Sequence, residues 1–386
     1  MIGSKKYLRL SDNFIPKILE KYYLFDKKND ELYELSESAF NFVLSFKDGK
    51  DLSEINGNKS FIKNLLKLSI LEESDKIKKR NFILNKPPIP TLRYLEIQLT
   101  SKCNLKCKHC YQGEKNDLEL PFSALKNILN DFVYFQGLRI LLSGGEPLLY
   151  SNFKELNLFL KNYPAYVVLI TNGVLLNKIP LAQIRNIDEI QVSLDGMEYG
   201  HNILRGEGTF EKVISGVKRI KEKTDKKISF ATMVHNKNIS EFKNMNKLIK
   251  SLGAKEWGID YPVLTGFFEK NRDLYPDIDS AIKVMKYRFG ASYHSTEEDN
   301  DYACGVHTMT LLPNGHFVPC GFYPSKIFGN IKEGLKIALK NRSFFKLLDI
   351  SECKDCNYII TCRGGCRFRA GDLTKKDQLM CKIFRR

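Results

Sequence analysis

The chain has 386 residues, 43% of them hydrophobic and 27% charged, which is enough to build two or three cored domains and too apolar for general disorder. No apolar run reaches the roughly 18 residues of a membrane span, and the N-terminus MIGSKKYLRLSDN lacks the apolar stretch of a secretory signal, so a cytoplasmic protein without a membrane partner is expected. The formal charge of +16, from 61 Lys and Arg against 45 Asp and Glu, suits a well-solvated surface or an acidic partner.

Residues 1–87 contain no cysteine and read as strands followed by helices. Tyr7–Leu10, Tyr22–Phe25 and Glu31–Glu34 are strand-like, and Ser36 is placed to cap a helix running to about Phe46. A second helix is predicted over Lys59–Ser69. Phe61, Ile62, Leu65, Leu66 and Leu68 are its apolar residues, and Lys59, Lys63 and Lys67 recur four apart on another face. NKPPIP, residues 85–90, is a stiff linker, because proline disfavours helix in the residue before it.

Residues 88–262 alternate short apolar runs with helical patterns. The runs are Leu92–Gln98, Leu138–Leu142, Val167–Thr171, Ile190–Leu194, Ile228–Val234 and Trp257–Tyr261. Six β–α units predict an α/β fold with a parallel sheet, and they suit a partial, TIM-like (β/α)6 barrel. Its chemistry is then expected where the strands end.

Directly after the first of these strands stands CNLKCKHCY, with Cys103, Cys107 and Cys110 spaced C-x3-C-x2-C. Three thiolates on one short loop can hold a metal centre. Structural zinc wants four protein ligands, and His109 is the local candidate for a fourth; an iron–sulfur cubane held by three leaves one iron open. The next strand ends in Ser143, Gly144, Gly145, Glu146 and Pro147. The glycines allow close approach of a ligand to the backbone, and a carboxylate can accept a charge-assisted bond from an ammonium group.

Together these motifs resemble the radical S-adenosylmethionine (radical SAM) superfamily over roughly residues 90–262. The resemblance implies that Cys103, Cys107 and Cys110 hold a catalytic [4Fe-4S] cluster whose open iron binds SAM. It also implies that Gly144, Gly145 and Glu146 bind the SAM amino group, and that Tyr111 is the aromatic following the third cysteine. Asn172 in TNG, Ser193 and Asp195 in SLDG, and Arg205 in HNILRGEGTF occupy further expected contacts, with the ribose hydroxyls and the SAM carboxylate among their targets.

Beyond a bridging segment at 263–303 lie Cys304, Cys320, Cys353, Cys356, Cys362, Cys366 and Cys381. Their spacing resembles the SPASM domain, here 304–386, an extension of peptide-modifying radical SAM enzymes with two auxiliary clusters. The resemblance implies one cluster on Cys353, Cys356, Cys362 and Cys381, and another on Cys304, Cys320 and Cys366. Three [4Fe-4S] clusters are then expected in all. Seven cysteines leave one auxiliary iron to His307, His316 or Asp301, or open to a substrate thiolate. One or two zinc-ribbon sites are the alternative. Sulfatase-maturing relatives carry a carboxylate just after the second SPASM cysteine; here the residue is Gly321.

Residues 1–75 look like a winged-helix RiPP recognition element, a module that binds the leader of a ribosomally made peptide as an added strand. Lys59, Lys63 and Lys67 would then meet acidic leader residues, although they equally suit a solvated helix face. Asn64 is the helix's sole base-reading side chain type, so no nucleic-acid partner is expected. The resemblance as a whole is to sactisynthase- and ranthipeptide-synthase-like maturases, with an external donor such as flavodoxin or ferredoxin. It implies thioether formation on a precursor peptide, with carbon–carbon or carbon–oxygen crosslinking or epimerisation as alternatives. A small-metabolite substrate would make residues 1–75 dispensable, and a zinc-stabilised peptide-binding protein is the non-catalytic reading.

Overall fold

The computed structural model describes residues 6–55, 59–114, 116–290, 294 and 301–384, so parts of the expected bridging segment lie outside it. The N-terminal elements are β1 (Tyr7–Leu10), β2 (Phe14–Ile18), β3 (Tyr22–Asp26), β4 (Glu31–Leu35), α1 (Glu37–Leu44), β5 (Lys50–Asp51), α2 (Lys59–Lys67) and β6 (Leu71–Ser74). Ser36 caps α1, its hydroxyl accepting from the Ala39 N–H at 3.2 Å. The strands make two antiparallel sheets, β5-β1-β6 and the meander β2-β3-β4. Leu8, Leu10, Phe46, Leu65 and Leu71 form the core between the first sheet and the helices.

Next come β7 (Tyr94–Thr100), α3 (Phe122–Tyr134), β8 (Arg139–Gly144), α4 (Phe153–Phe159), β9 (Tyr166–Thr171) and β10 (Glu189–Ser193). They are followed by α5 (Glu198–Arg205), α6 (Thr209–Lys223), β11 (Lys227–Met233), α7 (Phe242–Ser251) and β12 (Glu256–Asp260). The six strands β7 to β12 are parallel and neighbour one another in sequence order, as their apolar runs predict. Short 3-10 turns, rather than an α-helix, make the β9–β10 crossover.

The C-terminal part supplies α8 (Ile278–Met285), β13 (Thr308–Leu311), β14 (His316–Val318), β15 (Gly329–Asn330), α9 (Leu335–Asn341), α10 (Ile359–Cys362) and α11 (Gln378–Phe384). Strand β13 joins β7 in parallel, and β14 and β15 extend the sheet to nine strands.

Side chains alternate along each parallel strand. Ile97, Leu142, Leu169, Val192 and Phe230 enter the core with Leu125, Phe132, Val217 and Met245 from the helices. The opposite face carries Glu96, Gln98, Ser143, Gln191, Ser193 and Ser229. That polar face, free of the core helices, is where a site can form. Among the described residues no helix is long and apolar enough to cross a membrane.

The meander packs against the strands' N-terminal ends. Ile15, Leu19, Tyr23 and Phe25 meet Leu138, Tyr166 and Val168. Polar ties reinforce the join: Arg93 pairs with Glu20 at 2.7 Å and Arg139 with Asp30. Lys17 is buried there, its Nζ donating to the Gly137 carbonyl at 2.8 Å and the Pro164 carbonyl at 3.4 Å. Burial pulls its pKa down from 10.5 to about 7. The folded chain releases this proton before the unfolded chain does, so Lys17 adds stability as pH rises from 7 towards 10.5. Urea unfolding at pH 7, 8 and 9 is expected to show that rise, and Lys17→Met to flatten it. An identical slope in the variant would exclude Lys17 as the cause.

Candidate active site

The residues singled out by sequence converge at the C-terminal ends of β7 to β11. Cys103, Cys107 and Cys110 lie on the loop after β7. Backbone bonds hold this loop from three sides: Lys108 N to Leu204 O at 2.9 Å, Phe267 N to Cys110 O at 3.0 Å, and Glu146 N to Lys102 O at 2.7 Å. Cys107 is buried, and burial raises its thiol pKa; Arg205 opposes this, while Cys103 and Cys110 add to it. The three thiols therefore share one electrostatic neighbourhood. Asn172, after β9, donates to the Asn104 side chain at 2.8 Å and approaches the Cys103 sulfur at 3.8 Å.

The glycines after β8 are required by close packing. A Cβ on Gly145 would lie 2.2 Å from the Lys102 carbonyl, and one on Gly144 would lie 2.4 Å from the Thr100 carbonyl. Glu146 differs from expectation. It is fully buried, and its carboxylate already accepts from the Thr171 hydroxyl at 2.8 Å, the Asn172 N–H at 2.9 Å and the Leu148 N–H at 3.2 Å. It clamps the end of β8 to the end of β9 and does not face the cleft as a free ammonium acceptor. Burial outweighs those bonds and lifts its pKa to about 7.

Asp195 and Arg205, expected as separate ligand contacts, form a buried ion pair. The second Asp195 oxygen accepts from the Met233 N–H at 2.7 Å. Burial opposes the Asp195 charge, but Arg205 overrides it and holds the carboxyl at about 2. His109 Nε2 lies 3.4 Å from Arg205, so His109 turns towards the guanidinium; burial and that cation hold its pKa at about 3. Ser193 is half-buried on the polar face, and its hydroxyl has no hydrogen-bond partner among the described residues.

Sequence reasoning missed the supports of this pair. Asn238 donates to the Asp195 carbonyl at 2.7 Å, His235 approaches the same oxygen at 3.2 Å, and His201 Nδ1 accepts the Asp195 N–H at 3.1 Å. It also missed Asp260. This residue ends β12 on the face away from Trp257, whose ring stacks on Phe242 of α7. The Asp260 carboxyl is open to solvent and has no hydrogen bond among the described residues. An isolated aspartate at a strand end gives no sequence signal that separates it from a cap.

Tyr111 is half-buried beneath the C-terminal region. Its hydroxyl accepts from Gln98 at 2.7 Å, and its ring lies 5.0 Å from Phe322. A Cβ on Gly321 would stand 2.7 Å from that hydroxyl and 3.0 Å from the Gln98 amide nitrogen, so a side chain there would have to displace them.

The seven later cysteines form two groups. Cys353, Cys356, Cys362 and Cys381 line one void of about 10 Å³ with Ile359 and Phe384. Burial raises the Cys320 thiol to about 11, with Cys304 and Cys366 adding to the shift. Burial raises the Tyr323 hydroxyl as well, and Cys304, Cys366 and Cys320 add to that shift. His307 instead binds the Thr91 carbonyl at 2.7 Å near the start of β7, and His316 lies in the β14–β15 pairing. Among the described residues, no three His, Cys, Asp or Glu side chains group tightly enough for a single metal ion. Lys59, Lys63 and Lys67 are exposed on α2, distant in sequence and fold from the cysteine loop.

The Radical SAM superfamily profile matches residues 97–249. The AdoMet-dependent heme synthase of Oleidesulfovibrio alaskensis is 30% identical over 330 residues, covering 72% of this chain and 84% of that protein. The PqqA peptide cyclase of Gluconobacter oxydans is 26% identical over 321 residues, covering 74% and 88%. The crystal structure of Streptococcus suis SuiB bound to precursor peptide SuiA superposes with a TM-score of 0.71 at 16% identity, covering 97% of this chain and all of that one. That last likeness shows a shared fold.

Proposed function

The chain belongs to the radical SAM superfamily, and from that premise we propose an enzyme that modifies a ribosomally made precursor peptide, forming a thioether between a cysteine sulfur and carbon. The observation that carries the peptide reading is the three-part chain, whose N-terminal sheets and C-terminal cysteine region flank the superfamily domain over nearly the full length of the SuiB fold. The relationship to PqqA peptide cyclase supports the same substrate class.

The donor sets suit the expected cofactors. Cys103, Cys107 and Cys110 would hold the catalytic [4Fe-4S] cluster, Cys353, Cys356, Cys362 and Cys381 one auxiliary cluster, and Cys304, Cys320 and Cys366 the other. Zinc draws thiolates to about 2.3 Å around one ion, whereas a cubane accepts a wider ring. Arg367 supplies a further reason. It is 1% exposed, and its two terminal nitrogens donate only to the neutral carbonyls of Gly364, Leu373 and Lys375. Its charge influences both Cys304 and Cys353, which suits anionic thiolate clusters on either side.

When bound, the catalytic cluster and SAM supply a 5′-deoxyadenosyl radical that takes a hydrogen atom from the substrate. The protein's part is to present and shield. The backbone of Gly144 and Gly145 offers the close surface for the SAM amino group, and Glu146 fixes that backbone. Asn172 borders Cys103, Ser193 offers a free hydroxyl towards the ribose, and Arg205, aimed by Asp195, offers its remaining N–H groups to the SAM carboxylate. Tyr111 walls the site from the C-terminal region. An external flavodoxin- or ferredoxin-like donor would supply the electron.

The test is anaerobic co-expression with the short peptide encoded beside this chain, followed by intact mass and fragmentation. Loss of two hydrogens at a cysteine that no longer alkylates is the expected result. The same loss with all cysteines alkylable would replace the thioether by a carbon–carbon or carbon–oxygen crosslink. An unchanged peptide despite active SAM cleavage would overturn the crosslinking reading.

A further inference from the structure

A cavity of about 880 Å³ lies away from the cysteine loop. It opens between the N-terminal sheets and the N-terminal ends of β9, β10 and β11. Six cations line it: Lys27, Lys28, Lys78, Arg80, Lys226 and Lys227. Three carboxylates, those of Asp12, Asp188 and Asp225, stand against them.

The manner in which these cations are held matters more than their number. Lys226 Nζ donates to the Arg185 carbonyl at 2.6 Å and the Ile187 carbonyl at 2.5 Å. Lys227 Nζ donates to the Lys28 carbonyl. Arg80 donates to the carbonyls of Leu10 and Ser11 at 3.0 Å and of Phe14 at 3.1 Å. Lys27 divides its bonds between the Tyr163 carbonyl at 2.9 Å and Asp188 at 3.5 Å. Carbonyl oxygens fix a cation in place without cancelling its charge. Lys28 is exposed and has no side-chain partner among the described residues. Lys78 pairs with Asp12 at 2.7 Å and Arg80 stands 3.8 Å from the same carboxylate, yet the six cations still outnumber the three carboxylates, which leaves a preorganised cleft of net positive charge.

From this arrangement we infer that the cleft is a binding site for an acidic segment of the precursor peptide, separate from the exposed face of α2. The inference rests on the peptide-modifying reading above. Ile15, Phe82 and Ile187 also line the cleft, and apolar walls between cations suit a peptide of mixed acidic and apolar residues better than a bare phosphate. A redox partner is poorly served here, because the site lies about one strand length, ~20 Å, from the cysteine end of the sheet. The same distance sets a rule for the substrate. The acidic segment and the modified residue must be separated by at least about six extended residues.

The test is fluorescence anisotropy with the full, cluster-reconstituted chain and a labelled (Glu-Ala)6 peptide. Lys28→Glu/Lys227→Glu is expected to weaken binding at least tenfold, and Lys28→Glu alone, at a side chain with no partner to lose, at least threefold. Lys59→Glu/Lys63→Glu/Lys67→Glu is expected to stay within twofold of the parent. Unchanged binding in both cleft variants, or loss confined to the α2 variant, would overturn the assignment. Tighter binding of labelled dT12, or displacement of the peptide by micromolar triphosphate, would overturn the peptide class. The measurement needs no SAM turnover, so an intact cleft with an unmodified peptide would count against the catalytic reading and leave this one standing.

Discussion

Cys103→Ala is expected to bring 5′-deoxyadenosine formation to background while leaving binding of the peptide intact. The loop that carries the three thiols is fixed by main-chain bonds to Leu204, Phe267 and Glu146, none of which involves the Cys103 side chain. Removing one sulfur therefore deletes a ligand without releasing the loop. Iron should fall from about twelve to about eight atoms per chain if three four-iron clusters are present. The thermal midpoint of the remaining fold should move little. Retained SAM cleavage would dismiss Cys103 as a ligand, and simultaneous loss of peptide binding and of the folded state would make it a structural thiol.

Asp195→Asn is expected to cost about 3–5 kcal/mol of stability, because it leaves the buried Arg205 guanidinium without its counter-charge. Neighbouring His109 offers no substitute, since an imidazole is neutral or cationic and cannot supply a negative charge. Urea unfolding reads the loss directly. Replacing both partners, as Asp195→Leu/Arg205→Met, should recover much of that stability without recovering activity, which separates burial from function. Acid titration gives an independent check. The Asp195 carboxyl is held below its ordinary 3.8, so the pair stabilises the fold fully above that value and loses its contribution as pH falls towards about 2. A variant as stable as the parent throughout would show that the charge is not truly enclosed.

The parallel strands were legible because each carries a short apolar run, and the runs fall within two residues of β7 to β12. β2 was not legible. Its sequence FIPKI contains Pro16, which argues against a strand, yet β2 is an edge of its sheet and an edge tolerates a missing donor. The long-range pairing of β1 with β6, across two helices, left no local trace. Cysteine spacing, with the strand-end motifs, pointed to the radical SAM superfamily, and the superfamily match over residues 97–249 bears that out. Spacing does not reveal which polar groups are already engaged. Glu146 is consumed by Thr171 and Asn172, and Asp195 by Arg205, through strand neighbours that only the folded sheet brings near. Gly321 was visible as a missing carboxylate, whereas its closeness to the Tyr111 hydroxyl is tertiary.

The meander beneath the parallel strands limits how this protein can be taken apart. Cutting away residues 1–75 would strip Glu20 from Arg93 and Asp30 from Arg139, and would bare Leu138 and Val168. Such a truncation would lose activity through unfolding even if its substrate were a small metabolite, so it cannot report on dispensability. Exchange of recognition between relatives meets the same boundary. A chimera that swaps β1, α1, α2 and β6 must retain the parent's β2-β3-β4, and must match Phe14 and Leu24, which belong to both neighbourhoods. Substrate choice and catalytic scaffold can therefore diverge only together at that seam, and drift in one should leave compensating changes in the other.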